Sequence, residues 1–81
     1  MQVSVQFYSY LKDLSGCAQI NLTIPEGSTL GALHEQLLAS YPKLVGMKRS
    51  TLLAVGVDYQ PREYVLKDGD EVSLFPPVQG G

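Results

Sequence analysis

In "LGALHEQLLASY", residues 30–41, Leu30, Leu33, Leu37 and Tyr41 recur at spacings of three and four, with Leu38 alongside. That is the stripe of an amphipathic helix. Thr29 stands where a cap is needed, and Pro42 and Gly46 close the segment. The apolar segments on either side alternate instead. "QVSVQFY" sets Val3, Val5 and Phe7 on one side and Gln2, Ser4, Gln6 and Tyr8 on the other. "AQINLTIP" sets Ala18, Ile20, Leu22 and Ile24 inward, with Gln19, Asn21 and Thr23 outward. Both read as half-buried strands. Between them "SYLKDLSG" holds one short helical turn, with Leu11 and Leu14 three apart and Gly16 as its stop. A connection that short favours an antiparallel hairpin.

"TLLAVGVDY" is a third strand with two apolar faces, Leu53, Val55 and Val57 on one and Leu52 and Ala54 on the other. Periodicity does not distinguish which of them meets the helix. "QPREYVLKDGD" reads as loop with a short strand at residues 64–66, and Asp68, Gly69 and Asp70 are turn chemistry. "EVSLF" is the last strand, with Val72 and Leu74 inward and Phe75 pointing to solvent. One main helix has to cover one face of one sheet for the core to close. The expected class is therefore α+β, a β-grasp (ubiquitin-like) fold with a mixed sheet of four to five strands. In that fold the first and last long strands lie side by side and parallel. The expected organisation is a single domain over residues 1–75 and a projecting tail over residues 76–81.

A chain of 81 residues buries a modest share of its surface, and Cys17 is its only cysteine, so no internal disulfide supports the core. That usage suits a reducing compartment, and a cytoplasmic location is expected. The net charge is −2 and Lys48-Arg49 is a pair with no basic patch around it, which argues against nucleic acid. No apolar stretch approaches the ~20 residues needed to cross a bilayer, so no membrane partner is expected. Cys17 reads as a small packing residue, His34 as a half-buried structural histidine, and Lys43, Lys48 and Arg49 as a solvated loop. No nucleophile–base pair or metal-ligand cluster suggests an independent enzyme or a stably bound cofactor.

The chemistry is concentrated in "LFPPVQGG", residues 74–81. Phe75 precedes a proline and is held extended. Pro76 and Pro77 favour a stiff polyproline rod that lacks two backbone donors. Val78 and Gln79 continue it, and an extended tail from Pro76 to Gly81 reaches about 20 Å. Gly80 and Gly81 make its tip the thinnest possible peptide, able to enter a narrow channel. Such a tail requires only that the Gly81 carboxylate be reached and activated by a partner. Phe75, with Tyr8 facing the same way in the neighbouring strand, is expected to be an exposed apolar anchor for that partner.

"LKDGDEVSLFPPVQGG", residues 66–81, resembles the C-terminal signature of the small subunit of molybdopterin synthase, the MoaD family. The likeness extends more weakly through "FYSYLKDLSG" and the central helix. Where that family often has Val-Asn near the end of the third strand, this chain has Gly56. The resemblance implies a sulfur carrier whose Gly81 becomes an acyl-adenylate and then a thiocarboxylate. It implies an adenylating partner like ubiquitin-activating enzyme, which uses ATP, and an indirect sulfur donor. It also implies a large synthase subunit, where sulfur passes to cyclic pyranopterin monophosphate in molybdenum cofactor biosynthesis. The same tail would serve a carrier for thiamin thiazole synthesis, another thio-pathway, a ubiquitin-like protein modifier or a plain interaction module.

Overall fold

A computed structural model of the chain describes residues 1–77. The elements run β1 (Gln2–Phe7), α1 (Tyr10–Ser15), β2 (Gln19–Thr23), α2 (Leu30–Ser40), a 3-10 helix (Pro42–Met47), β3 (Leu52–Val55), β4 (Asp58–Tyr59) and β5 (Glu71–Phe75). The strands form one sheet in the order β2-β1-β5-β3-β4. β1 is antiparallel to β2 and parallel to β5, and β3 is antiparallel to both β5 and β4. This is the β-grasp arrangement expected from the order of alternating and helical segments.

The helix forms where its stripe places it. Thr29 Oγ1 accepts from the Ala32 amide at 3.1 Å, a cap worth about 1 kcal/mol. Leu30, Leu33 and Leu37 then turn to the sheet and are fully buried against Val3, Val5, Phe7, Val72 and Leu74. Phe7 meets Tyr41 edge-on, with ring centroids 5.6 Å apart. The two faces of β3 are now distinguished: Leu53 and Val55 join this core, while Ala54 and Leu52 lie on the far side of the sheet.

Several expectations need correction. Val57 does not continue the third strand; it is 97% exposed. Val55 pairs with Asp58, so Gly56 and Val57 are the two residues of a tight hairpin. Gly56 has φ 63, the left-handed position such a turn requires of its first central residue. Ala18 is exposed rather than inward, because β2 begins only at Gln19. Pro42 does not end helical structure but opens the 3-10 helix. The short fourth strand is Asp58–Tyr59, and within residues 64–66 only Val65 bridges, to Thr29. The carbonyls of Arg62 and Tyr64 are used elsewhere. Leu30 N donates to Tyr64 O at 2.8 Å and Gly31 N to Arg62 O at 2.9 Å. The loop thus satisfies amides at the start of α2 that have no partner within the helix.

His34 is 2% exposed, not half-buried. Its Nδ1 lies 2.9 Å from Arg62 Nη1. A guanidinium only donates, so Nδ1 accepts and the ring proton sits on Nε2. Arg62 also donates through Nη2 to Gly31 O and Glu35 Oε1, both at 3.3 Å. Burial first, and then the Arg62 charge, push the His34 pKa below its ordinary 6.5; Glu35 opposes and Lys48 reinforces the shift. The unfolded chain therefore binds this proton at a higher pH than the folded chain does. The contribution is fully present above 6.5 and is lost as pH falls from there through the folded value. Glu35, held low chiefly by its hydrogen bond to Lys48, titrates below 4.5 and outside that window. Urea midpoints should fall between about pH 7 and pH 5, and His34→Gln should flatten the fall. An equal slope in the variant would assign it to other groups.

Candidate functional site

The sheet face opposite α2 carries the aromatic residues that the core does not use. Alternation turns Val72 and Leu74 to the helix and leaves Ser73 and Phe75 on the other side. The parallel register sets Phe7 beside Leu74, so Tyr8, one residue on, comes beside Phe75. Their rings stack with centroids 4.5 Å apart and planes 15° from parallel. Tyr8 is anchored by its hydroxyl, which donates to Gln6 Oε1. From the other flank Tyr59 meets Phe75 edge-on at 6.4 Å. Phe75 is therefore half-buried among aromatic neighbours rather than freely exposed, while Tyr59 is 68% exposed. Leu52, opposite Phe75 in β3, completes the surface.

Strand alternation predicts that Tyr8 and Phe75 share a face, and their rings do meet; it does not predict Tyr59. Its signal was weak: one aromatic in a two-residue strand that could not be located before the Gly56 turn was known. The register makes Tyr59 the partner of Ala54, which pairs with Ser73, and so brings its ring to the Phe75 side. Pro76 and Pro77 follow β5 directly, belong to no strand and are half-buried. Val78, Gln79, Gly80 and Gly81, expected to continue the tail to its tip, lie outside the described residues.

Beside Tyr59 lies a groove of about 440 Å³ between Lys48-Arg49 and Gln60-Pro61-Arg62. Lys48 is not merely solvated there, since it pairs with Glu35, which also takes Arg62. Cys17 packs against the edge of the core, with Sγ 3.7 Å from Tyr41 Oη. That contact, ahead of burial, raises the Tyr41 pKa above its ordinary 10.0. Among the described residues no cluster of His, Cys, Asp or Glu has the spacing to hold a metal ion, and no helix is long and apolar enough to cross a membrane. The face can bind an apolar partner surface; none of its side chains is arranged for acid–base or nucleophilic chemistry.

The chain is similar to known proteins along its whole length. The molybdopterin synthase sulfur carrier subunit of Chlamydomonas reinhardtii is 30% identical over 84 residues, covering 100% of both chains. Small archaeal modifier protein 3 of Haloferax volcanii is 30% identical over 92 residues, again covering 100% of each. Among solved structures, a chain in the complex of subunits 1 and 2 of molybdopterin-converting factor from Helicobacter pylori superposes with a TM-score of 0.74 at 27% identity, covering 100% of both chains. The sequence profile of the ThiS family matches residues 5–81, and the chain belongs to that family.

Proposed function

We propose that this chain is the sulfur-carrier subunit of molybdopterin synthase and that the Gly81 carboxylate is its working group. The observation that carries the reading is the full-length similarity to a named sulfur carrier subunit, in a chain whose sequence ends Phe-Pro-Pro-Val-Gln-Gly-Gly. In the proposed cycle a carboxylate oxygen of Gly81 attacks the α-phosphorus of ATP on an adenylating partner, and pyrophosphate leaves. A sulfide-level nucleophile adds to the acyl carbon and expels AMP, leaving a thiocarboxylate. In the large subunit that sulfur passes to cyclic pyranopterin monophosphate, and the carboxylate is restored with an oxygen from water. Two sulfurs are needed for a dithiolene, so the carrier leaves and is reloaded.

The cluster of Tyr8, Phe75 and Tyr59 supports this reading because it stands at the root of the tail. A partner that grips those rings fixes where Pro76 starts. Binding on one side then positions a reacting group several residues away, and orientation of that kind is a large part of a rate enhancement.

The experiment is an intact-mass measurement. The purified chain is incubated with an adenylating enzyme of its own source, ATP and a sulfide donor. The mass should rise by the exchange of one oxygen for one sulfur, and fragmentation should place the change on Gly81. Sulfur on any side chain would overturn the mechanism.

The anchor is tested separately. Phe75→Ala should weaken binding to the large subunit by roughly 2 kcal/mol or more, as loss of an aromatic hot spot does. Folding should lose about 1–3 kcal/mol, the worth of the two ring pairs with Tyr8 and Tyr59. A large loss of stability with unchanged affinity would make Phe75 a packing residue.

A second reading, a ubiquitin-like modifier joined through Gly81 to a target amine, is favoured by the 30% identity to small archaeal modifier protein 3. It differs in product. A lysine-linked conjugate in place of a thiocarboxylate would decide for it.

A further inference from the structure

The two edges of the sheet are protected very differently. At one end β4 is only two residues long, one of them Asp58, and Lys48, Arg49 and Arg62 stand nearby. A short, charged edge is poor at recruiting another strand. At the other end lies β2, five residues long. Across residues 16–25, "GCAQINLTIP", there is no charged side chain, and within β2 there is no proline or glycine. None of the usual devices that blunt an edge is present in β2.

The direction of its backbone groups follows from the ladder. Phe7 N donates to Ala18 O at 2.9 Å, and at the far end Met1 and Ile24 exchange both hydrogen bonds. Antiparallel ladders alternate, so Ala18, Ile20, Leu22 and Ile24 turn their amides and carbonyls to β1. Gln19, Asn21 and Thr23 turn theirs outward, along the open edge. On the helix side Ile20 and Leu22 pack on the core but stay half-buried. The open edge thus combines unsatisfied backbone groups with apolar side chains that are incompletely covered.

We propose that this edge pairs with β2 of a second copy of the chain, antiparallel and about a two-fold axis through Asn21. In that register Asn21 faces Asn21 of the second copy and exchanges both backbone bonds with it. Gln19 faces Thr23, so the outward groups meet outward groups. Ile20 faces Leu22 in both halves, so each chain covers the other's half-buried apolar residues on the helix side. The polar side holds only uncharged side chains, so no like charges oppose one another. A strand that matches itself this closely, and carries no charge to select an acidic or basic partner, is best suited to an isologous contact. The result is a continuous sheet of two subunits. The rings of Phe75 and Tyr59, on β5 and β4, remain open. The contact is narrow, below the ~1,000 Å² of a stable interface, and therefore weak and concentration-dependent.

The test uses the full chain and does not depend on the carrier reading. Sedimentation equilibrium and amide NMR spectra are recorded from low concentration up to about 1 mM, the range where weak association is read. The mean mass should rise toward the dimer, with shifts confined to residues around 18–24. Asn21→Lys, at an exposed position, places like charges across the axis and should keep the chain monomeric and folded. Asn21→Asp should do the same. Mixing the two variants should restore association, now as the mixed dimer. The proposal fails if the wild-type chain stays monomeric at about 1 mM, if either variant alone associates as before, if the mixture does not associate, or if the shifts map to Tyr8, Tyr59 and Phe75.

Discussion

Deleting Gly81 is expected to reduce sulfur loading to background while leaving the melting temperature unchanged. The chain would still end in a glycine, so the loss would not be one of chemistry at the tip. It would be one of reach. Removing one extended residue draws the carboxylate back by about 3.5 Å, and reacting atoms have to lie within about 3–3.5 Å of each other. Adding residues after Gly81 should be as damaging, because the carboxylate then belongs to another residue and the tip is no longer thin. Stability should be unaffected, since the core is built from residues up to Leu74. Cys17→Ser should load normally. Its sulfur is partly buried, 3.7 Å from Tyr41 Oη and close to Ser15, with no cation or base among those contacts to make it a thiolate. Intact mass and a thermal melt on the three variants give the result. A persulfide on Cys17, or a shortened chain that still loads sulfur, would sink the terminal-carboxylate mechanism.

The fold was legible wherever one face of an element is buried and the other is not. β1 and α2 are such elements, and their periods of two and 3.6 separate cleanly. β3 was ambiguous because Ala54 and Ser73, on the far face, are also nearly buried. They are small residues flanked by the larger Phe75 and Tyr59. Alternation in hydrophobicity vanishes when both faces are covered. The short strand expected at residues 64–66 is absent for a different reason. Their hydrogen bonds go to the start of α2, and nothing in a strand-like run such as Tyr64-Val65-Leu66 announces that a helix terminus will take its carbonyls.

The candidate site was readable in parts. Phe75 and Tyr8 follow from alternation plus the parallel pairing of the first and last strands. That pairing is a property of the fold and leaves no mark in the periodicity of either strand. Tyr59 required the Gly56 hairpin, and the His34–Arg62 contact joins residues 28 apart in sequence with no local pattern to link them. A helix stripe predicts that His34 lies near the core; it does not predict which cation will hold its Nδ1.

Leu37→Ala should be strongly destabilising. Leu37 is 1% exposed, in the middle of the stripe that closes the sheet. Truncating a buried leucine costs about 2–5 kcal/mol, in lost transfer energy plus the residual cavity. Alanine is the better helix former, but that gain of a few tenths of a kcal/mol does not offset the cavity. At roughly 0.05–0.15 kcal/mol per residue a chain of this size has about 4–12 kcal/mol in total, so about a sixth of its stability or more is at stake. The melting temperature should fall by at least about 8 °C, at 4–8 °C per kcal/mol for a domain of this size. The neighbouring Gln36 is exposed, and Gln36→Ala should change stability by less than about 0.5 kcal/mol. The adjacent pair isolates the face of the helix from its propensity, since both substitutions introduce the same residue into the same turn. If Gln36→Ala were the costlier of the two, α2 would present its other face to the sheet, and the core described for Leu30, Leu33 and Leu37 would be wrong.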